Sequence, residues 1–261
     1  MHRREFLSLL AAASMGRTAI ASPPRAWHLA VEPGLFECDA MQSVTHQIAF
    51  AAAQGFRAFV DDAWLWRCER ERRDVLDATR ALGLRWGPLR GPALRGRNRQ
   101  EWQRELQAAT TVAAHVASPA VRMEVETTAV AAALLRSPRV LVEWSSSQST
   151  AVLAAFPDLR FSVDIYRLAA QGVDVVAFLE RHLPRIGHIE LADFPGGLEP
   201  GTGRLAIYRI CRLLDEHGYT GVVGLRHGRS RPGWPGIEAV LQACHQIEPS
   251  IASSREPTVW L

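Results

Sequence analysis

The chain has 261 residues, of which 48% are hydrophobic, and this is enough to bury one large core. Its formal charge is +3, and 27 arginines and 26 acidic residues remain once Arg3, Arg4, Arg17 and Glu5 of the first 21 residues are set aside. This balance argues against nucleic acid or an anionic membrane surface as a partner. All 30 basic residues are arginine, which excludes Schiff-base catalysis by lysine and a P-loop.

The first element along the chain, residues 1–21, resembles an export signal. Paired arginines at positions 3 and 4 precede an apolar run, and the small residues Ala19 and Ala21 offer a cleavage site. This pattern predicts a twin-arginine signal, a linker at 22–26 and periplasmic localisation. The run is too short for a stable membrane span. The alternative is a cytoplasmic protein whose first helix is amphipathic.

The rest of the chain alternates between short apolar strands and helices, eight times over. Such alternation predicts a parallel sheet with right-handed crossovers, and eight units fit a single α/β domain, a (β/α)8 TIM barrel over residues 27–261. An open dinucleotide-binding sheet would need GxGxxG after its first strand, and this chain has none there. The predicted strands are 27–31, 56–60, 84–89, 121–126, 140–144, 159–165, 186–191 and 221–226. The predicted helices are 39–54, 67–82, 100–117, 127–135, 145–157, 173–182, 205–217 and 235–246.

The four cysteines do not indicate a metal or redox site. They are widely spaced and form no CxxC pair, so small buried side chains are the expected role. Cys211 and Cys244 fall on consecutive predicted helices, where a disulfide is conceivable.

The segment IGHIELADFPGGLEPGTG, residues 186–203, is the most informative stretch of the sequence. It begins as a buried strand that carries His188 and Glu190, and it continues as a glycine- and proline-rich loop that contains Glu199. Polar groups at the carboxyl end of a buried strand, followed by a loop, are typical of the active-site edge of an α/β barrel.

Carboxylates also follow other predicted strands. Because the carboxyl ends of barrel strands meet at one mouth, we expect Glu143, Asp164 and Glu190 to converge there. Three converging carboxylates suit a divalent metal with oxygen ligands. The alternative, that each of them pairs with one of the many arginines, is equally consistent with the sequence. The strand ends supply these further polar residues: Asp61, Asp62, Glu126, Arg226 and His227.

Six pieces of the sequence form a recognisable set: GLFE at 34–37, QGFRAFVDD at 54–62, LVEW at 141–144, DIYRL at 164–168, GHIELADFPGGLEPGTG at 187–203 and GLRHGRSRPG at 224–233. Together they resemble the hydroxypyruvate isomerase-like branch of the sugar-phosphate isomerase/epimerase barrels, in the xylose isomerase-like superfamily. The resemblance is strongest over 140–246, weaker over 34–62, and poor over 86–128, where the third and fourth units look shortened.

The resemblance implies an isomerase that moves a proton through an enediolate on a divalent metal (Mg, Mn, Co or Zn). By position it implies Glu143 as metal ligand and catalytic base, with Asp164 and Glu190 as further ligands. The implied substrate is a small hydroxy-carbonyl compound or sugar, and the implied substrate contacts are His188, Arg167, Arg226 and Glu199.

The departures from the family pattern put that metal in doubt. Glu190 stands where the family has His or Gln, Arg226 replaces the fourth ligand, a Glu, and Arg167 replaces a substrate-binding His. If Arg226 and Arg167 point into the mouth, their fixed charge could stand where the metal stood and neutralise the carboxylates. A guanidinium cannot act as a base, so two-base isomerisation would lose one partner.

Two other functional classes stay open at this point. One is a non-catalytic, sugar-binding barrel that has lost its metal. The other is a hydrolase or lyase that recruits Glu126 or His227. Trp64 and Trp66, after the second strand, are candidates for stacking on a sugar.

Overall fold

The computed structural model describes residues 26–92, 99–124, 139–144 and 156–251. The predicted signal at 1–21, the helix at 127–135 and residues 145–155 of the helix at 145–157 lie outside these residues, so these three stay predictions. The described strands are β1 (His28–Val31), β2 (Ala58–Phe59), β3 (Arg85–Trp86), β4 (Leu89–Arg90), β5 (Val121–Met123), β6 (Val140–Glu143), β7 (Phe161–Asp164), β8 (Ile186–Leu191) and β9 (Val222–Leu225).

The strands form one curled parallel sheet in the order β3-β2-β1-β9-β8-β7-β6-β5-β4. The two ends of this order, β3 and β4, are halves of the third predicted strand, separated by Gly87 and Pro88. β3 pairs with β2 and β4 pairs with β5, so this one piece of chain joins both ends of the sheet. The predicted (β/α)8 TIM-barrel class is confirmed, and predicted strands four to eight correspond to β5–β9.

The interruption of the third strand has a local cause. Pro88 has no backbone N–H to give to a ladder, whereas the N–H of Gly87 donates to the carbonyl of Phe59 at 2.8 Å. A Cβ atom on Gly87 would lie 2.7 Å from the Cγ2 atom of Val60, so only glycine allows this close approach.

Helices cover the outside of the sheet. They are α1 (Val44–Ala53), α2 (Glu69–Ala81), α3 (Arg99–His115), α4 (Ile165–Ala170), α5 (Val175–His182), α6 (Ile207–Glu216) and α7 (Gly233–Ile247). α1 begins five residues later than predicted because Ser43 caps it, accepting a hydrogen bond from the N–H of His46. α4 is a helix that the sequence analysis missed. In the described part of the chain, none of the helices has the length and apolarity needed to cross a membrane.

Alternation along the strands divides the core into two parts. Leu29 and Val31 of β1 belong to the large apolar cluster beneath the helices. Ala30 belongs instead to a small cluster with Ala58, Val60 and Val222. This cluster lines the barrel interior with small side chains, which leaves room for longer polar side chains above it.

The two tryptophans after β2 have different environments. Trp64 is buried and packs edge to face against Trp86, with ring centroids 5.1 Å apart. It is therefore a core residue, and the expectation that it stacks on a sugar is wrong. Trp66 is 65% exposed, so its stacking role stays a prediction.

Candidate active site

The polar residues of the site continue the interior-facing rows of the strands. In β9 the interior positions Val222 and Gly224 are followed, two residues later, by Arg226. The same alternation brings these side chains to the carboxyl-terminal mouth of the barrel: Glu32, Asp62, Arg122, Glu143, Asp164 and Glu190.

Arg122, on β5, lies at the centre of this group and is 1% exposed. One terminal nitrogen, Nη1, donates to Glu190 and lies 3.5 Å from Oε1 of Glu143, and the other, Nη2, donates to Asp62. Burial opposes its charge, but Glu190 and Asp62 outweigh burial and hold the pKa of Arg122 above its ordinary value. Arg122 thus joins the carboxylates of Glu143 on β6, Glu190 on β8 and Asp62 after β2 into one charged floor.

Two further arginines surround this floor and are more accessible. Arg226, about one-third exposed, donates from Nη1 to both oxygens of Glu190 at 3.0 Å and lies 3.5 Å from Oδ2 of Asp62. Arg90, at the end of β4, lies 3.8 Å from the same oxygen. Burial lowers the pKa of Arg226, but the negative charges of Glu190 and Asp62 raise it by more than burial lowers it. The net pKa is above its ordinary value, so the guanidinium stays charged. The sequence prediction that Arg226 neutralises Glu190 agrees with these contacts.

Of the three carboxylates that contact Arg122, Glu143 has the longest and weakest contact with it. Its Oε1 lies 3.5 Å from Arg122, at the limit of a hydrogen bond, and its side chain is 13% exposed. Burial raises its pKa, against the opposing effect of the Arg122 charge. A carboxylate with a raised pKa and access to solvent is suited to take up a proton.

Asp164 and Arg167 form a separate pair at the edge of the mouth. The Asp164 carboxylate caps α4 by accepting from the N–H of Arg167 at 3.1 Å, and its Oδ2 lies 3.3 Å from Nε of the same residue. Burial raises the pKa of Asp164, while the Arg167 backbone N–H lowers it. The Arg167 side chain is largely exposed and pairs with Asp164, so the positive centre of the mouth is Arg122 and Arg226, not Arg167.

Glu32 follows β1 and faces the same mouth. Its carboxyl group interacts electrostatically with two acidic side chains, Asp62 and Glu190, and two arginines, Arg122 and Arg226. Burial, reinforced by Asp62, raises its pKa to about 7 against the two arginines. Within the described contacts, its side chain makes no hydrogen bond or ion pair.

His188 lies one layer below the charged floor and is fully buried. Its Nδ1–H donates to the carbonyl of Val222 at 2.9 Å, which leaves Nε2 without a described partner. Burial and the Arg122 charge lower its pKa to about 4, so the ring is neutral at ordinary pH. A direct contact of His188 with a substrate stays a prediction.

Glu199 joins the two loops that follow β8 and β9. It is buried, and it accepts hydrogen bonds from the backbone N–H of Ser230 at 2.9 Å and from the Ser230 hydroxyl. These bonds fix the two loops at the rim of the mouth. A direct contact between Glu199 and a substrate stays a prediction.

Asp193 fixes the first of these loops, a role that was not predicted from the sequence. Its carboxylate accepts from the N–H groups of Phe194, Gly201 and Leu205 at 2.8, 2.8 and 3.1 Å. A Cβ on Gly203 would lie 2.5 Å from Oδ1 of Asp193, so glycine is required where the loop closes on this carboxylate.

The residues at this mouth do not fit a divalent metal as they are arranged. Each of the three predicted ligands has an arginine partner: Glu143 has Arg122, Asp164 has Arg167, and Glu190 has both Arg122 and Arg226. Among the described residues, no group of three or more His, Cys, Asp or Glu side chains is placed to hold a metal ion. A dication there would also lie beside the guanidinium of Arg122.

At the centre of the mouth, the sequence did not indicate Arg122 or Glu32. A usable signal existed for Arg122, since a strand buried on both faces allows a charge in its middle only when that charge is paired. Glu32 follows the first predicted strand just as Asp61 follows the second, and this position at a strand end was the signal that could have indicated it. Glu126, named as an alternative catalytic group, lies outside the described residues.

Comparisons with known proteins place the fold and leave the activity open. No family model matches the chain. A relative in Streptomyces coelicolor, named provisionally as a hydroxypyruvate isomerase, is 35% identical over 74 residues, 28% of this chain and 25% of the relative. The 2-oxo-tetronate isomerase of Cupriavidus necator is 33% identical over 76 residues, 29% of each chain. The chain therefore matches between a quarter and a third of the length of these curated relatives.

Solved structures extend the similarity over the whole barrel. An AP endonuclease of family 2 from Brucella melitensis matches with a TM-score of 0.66 at 16% identity, over 82% of this chain and 97% of that one. A sugar phosphate isomerase/epimerase from Parabacteroides distasonis matches with a TM-score of 0.65 at 15% identity, over 89% and 98%. Since these two neighbours carry different names, the shared fold alone does not decide the chemistry.

Proposed function

We propose that this chain is an isomerase-type enzyme that moves a proton between adjacent carbons of a small hydroxy-carbonyl compound, with Glu143 as the base. The observation that carries this proposal is a partly exposed carboxylate, Glu143, 3.5 Å from the buried guanidinium of Arg122. Enediolate chemistry needs a base of raised pKa and a fixed positive charge close to the oxygen that becomes negative. Both lie at this mouth.

In this proposal the arginines supply the positive charge that the family pattern assigns to a metal. Arg122 forms the floor and orients Glu143 and Glu190, while Arg226 and Arg90 are exposed enough for a substrate to reach. A guanidinium stays protonated, so it stabilises a negative oxygen without exchanging the proton that the reaction moves.

The names of the relatives support a substrate class. Hydroxypyruvate and 2-oxo-tetronate isomerases both act on acids that carry a carbonyl next to a carboxylate. A carboxylate of this kind would pair with Arg226 or Arg90, since a planar guanidinium binds carboxylates well. We therefore propose a short 2-oxo or hydroxy acid as the substrate, in preference to a neutral sugar.

The experiment that tests the activity uses proton NMR in heavy water with a panel of hydroxypyruvate, short hydroxy acids, aldoses and ketoses. Wild type should form an isomer and exchange a carbon-bound hydrogen for deuterium. Glu143→Gln should lower both rates by about 100-fold or more, the usual loss when a general base is removed. The matched control is Glu216→Gln, on the exposed surface of α6.

A second experiment tests the arginine centre. Elemental analysis of the purified protein should find no stoichiometric Mg, Mn, Co or Zn, and treatment with a chelator should leave turnover unchanged. One equivalent of any of these metals, or loss of activity on chelation, would show that the arginines do not replace the metal.

One observation favours a second candidate, a binding protein without catalysis. Asp62 and Glu190 both form ion pairs with arginines, and a barrel that has lost its catalytic activity would also have its site carboxylates neutralised in this way. This candidate predicts that hydroxy acids bind with no deuterium exchange in wild type, a result that would exclude the isomerase.

A further inference from the structure

Glu32 differs from every other carboxyl group of the mouth. Asp62, Glu143 and Glu190 each lie within ion-pair distance of Arg122. No described residue makes a hydrogen bond or ion pair with the Glu32 side chain, which is only partly buried. A carboxyl group that faces a charged site and has no structural partner is available for chemistry.

The sheet register shows where this carboxyl group stands. β1 pairs with β9 with Val31 opposite Leu225, so the next residues, Glu32 and Arg226, lie side by side. Arg226 occupies the position at which the family pattern has its second base. Glu32, which follows the neighbouring strand β1, therefore places a carboxyl group beside Arg226, the position at which the family pattern has a glutamate.

The position of Glu32 around the barrel also suits a second proton-transfer group. With β3 and β4 counted as one strand, β6 is the fifth position and β1 the first in the ring of eight. Glu143 and Glu32 thus stand across the mouth from each other, with the Arg122 floor between them. A substrate held over that floor would have one carboxyl group on each side.

We propose that Glu32 is the second catalytic acid–base residue of the isomerase, working opposite Glu143; this rests on the proposed function. Glu143 takes the proton from the carbon that bears the hydroxyl, and the electron pair of that C–H bond forms the C=C bond of the enediol. The carbonyl electron pair moves to its oxygen, which receives the hydroxyl proton. Protonated Glu32 then gives its proton to the former carbonyl carbon as the new C=O bond forms. Solvent resets both carboxyl groups, so atoms and charge balance.

The electrostatic surroundings of Glu32 support this role. The charged groups around it are Asp62 after β2, Arg226 after β9, Arg122 on β5 and Glu190 on β8. Burial and Asp62 raise its pKa to about 7 against the two arginines, so a large share of the molecules carry the proton at neutral pH. An acid that donates a proton at neutral pH needs this property.

The test compares Glu32→Gln with Glu143→Gln and with Glu37→Gln, an exposed carboxylate five residues further on. In heavy water, Glu32→Gln should lower isomer formation by about 100-fold or more, the range for loss of a general acid. It should still exchange the substrate hydrogen for deuterium, because Glu143 remains. Glu143→Gln should lose both reactions, and Glu37→Gln should lose neither.

Further measurements separate a catalytic from a structural role. The thermal midpoint of Glu32→Gln should not fall below that of wild type, because the amide carries no charge to bury. The wild-type rate should decline as pH rises through about 7, as Glu32 loses its proton, and Glu32→Gln should lack this decline. Glu32→Asp should recover part of the lost rate.

The outcomes distinguish this inference from the function on which it rests. If wild type neither isomerises nor exchanges any substrate of the panel, the proposed function fails and the role of Glu32 fails with it. If wild type is active and Glu32→Gln forms product at a rate within about threefold of wild type, only the role of Glu32 is overturned. Loss of both product and exchange in a folded Glu32→Gln would also overturn the division of labour between the two carboxyl groups.

Discussion

The two halves of the barrel wall differ in the length of their strands. In the regular half, β1 and β6–β9, each strand contains four to six residues, whereas in the irregular half, β2–β5, each contains two or three. The regular half carries Glu143, Glu190 and the two bonded loops. The irregular half carries Asp62, Arg90 and Arg122. The site is assembled across this division, since carboxylates from the regular half pair with a cation from the irregular half.

The two halves contribute different parts of the mouth. The loops after β8 and β9 keep the motifs that resemble the isomerase family, and they are fixed by Asp193 and Glu199. The buried charge, Arg122, lies on β5 in the fourth unit, where that resemblance is poor. One arginine on a short strand is enough to pair with two of the three expected metal ligands.

The largest expected effect therefore comes from removing that arginine. Arg122→Met would leave Asp62, Glu143 and Glu190 buried beside one another without their shared partner. The free energy of unfolding should fall by about 4 kcal/mol, within the range for breaking a buried ion pair. Urea unfolding at pH 7 measures this loss, and acidic pH should reduce it because the carboxyl groups then become neutral.

The control for this substitution is Arg212→Met, an exposed arginine on α6 in the regular half. Its effect should stay within about 0.5 kcal/mol, as is usual on the surface. A loss below about 1 kcal/mol for Arg122→Met would mean that the two halves are not coupled through this residue.

The same division explains which features the sequence could predict. In the regular half, the apolar run 186–191 gives both the strand and the position of Glu190 on it, whereas a role for Arg226 beside Glu190 was suggested only by the departures from the family pattern. In the irregular half, Gly87 and Pro88 break a strand that the apolar pattern shows as continuous. The contacts of Arg122 depend on the closure of the barrel, which brings Asp62 after β2 and Glu190 on β8 within reach of β5, and no local pattern contains this information.

Helix α4 was missed for a more local reason. Its six residues follow directly from β7, and Asp164 is at once the last residue of the strand and the cap of the helix. The family resemblance places a metal ligand at this position, so a metal-binding role was expected for Asp164. A capping role for Asp164 was also compatible with the sequence, since Asp is among the preferred capping residues.

The regular half contains the buried carboxylate of Asp193, and its removal should lower the free energy of unfolding nearly as much as Arg122→Met does. Asp193→Ala would leave three backbone N–H groups of the loop without an acceptor. We expect the free energy of unfolding to fall by about 3 kcal/mol, measured by urea unfolding, because hydrogen bonds to a charged group are strong. Asp77→Ala on the exposed face of α2 is the matched control. Unlike Arg122→Met, this substitution removes a carboxylate and takes no shared partner away from the others.

A pair of glycines compares the backbone of the two halves directly. An added Cβ would lie 2.7 Å from Cγ2 of Val60 at Gly87, and 2.6 Å from Cδ2 of Leu141 at Gly187. The valine methyl is fixed close to its backbone, whereas the end of the leucine side chain can rotate away. We expect Gly87→Ala to cost about 2 kcal/mol and Gly187→Ala about 1 kcal/mol of unfolding free energy in denaturant titrations. The reverse order would show that the irregular half is the more adaptable one.

The smallest expected effect concerns Glu32, at the point where β1 of the regular half borders β2 of the irregular half. Its pKa is raised from 4.5 to about 7, so the folded state holds this proton more tightly than the unfolded state does. The contribution is fully present below pH 4.5 and is lost as pH rises towards 7. Relative to Glu32→Gln, wild type should therefore lose about 1 kcal/mol of unfolding free energy between pH 5 and pH 8, after allowance for solvent screening. The other carboxyl groups with raised pKa values are present in both proteins and cancel in this difference. A wild-type stability that rises with pH relative to Glu32→Gln would mean that the nearby arginines, and not burial, dominate at Glu32.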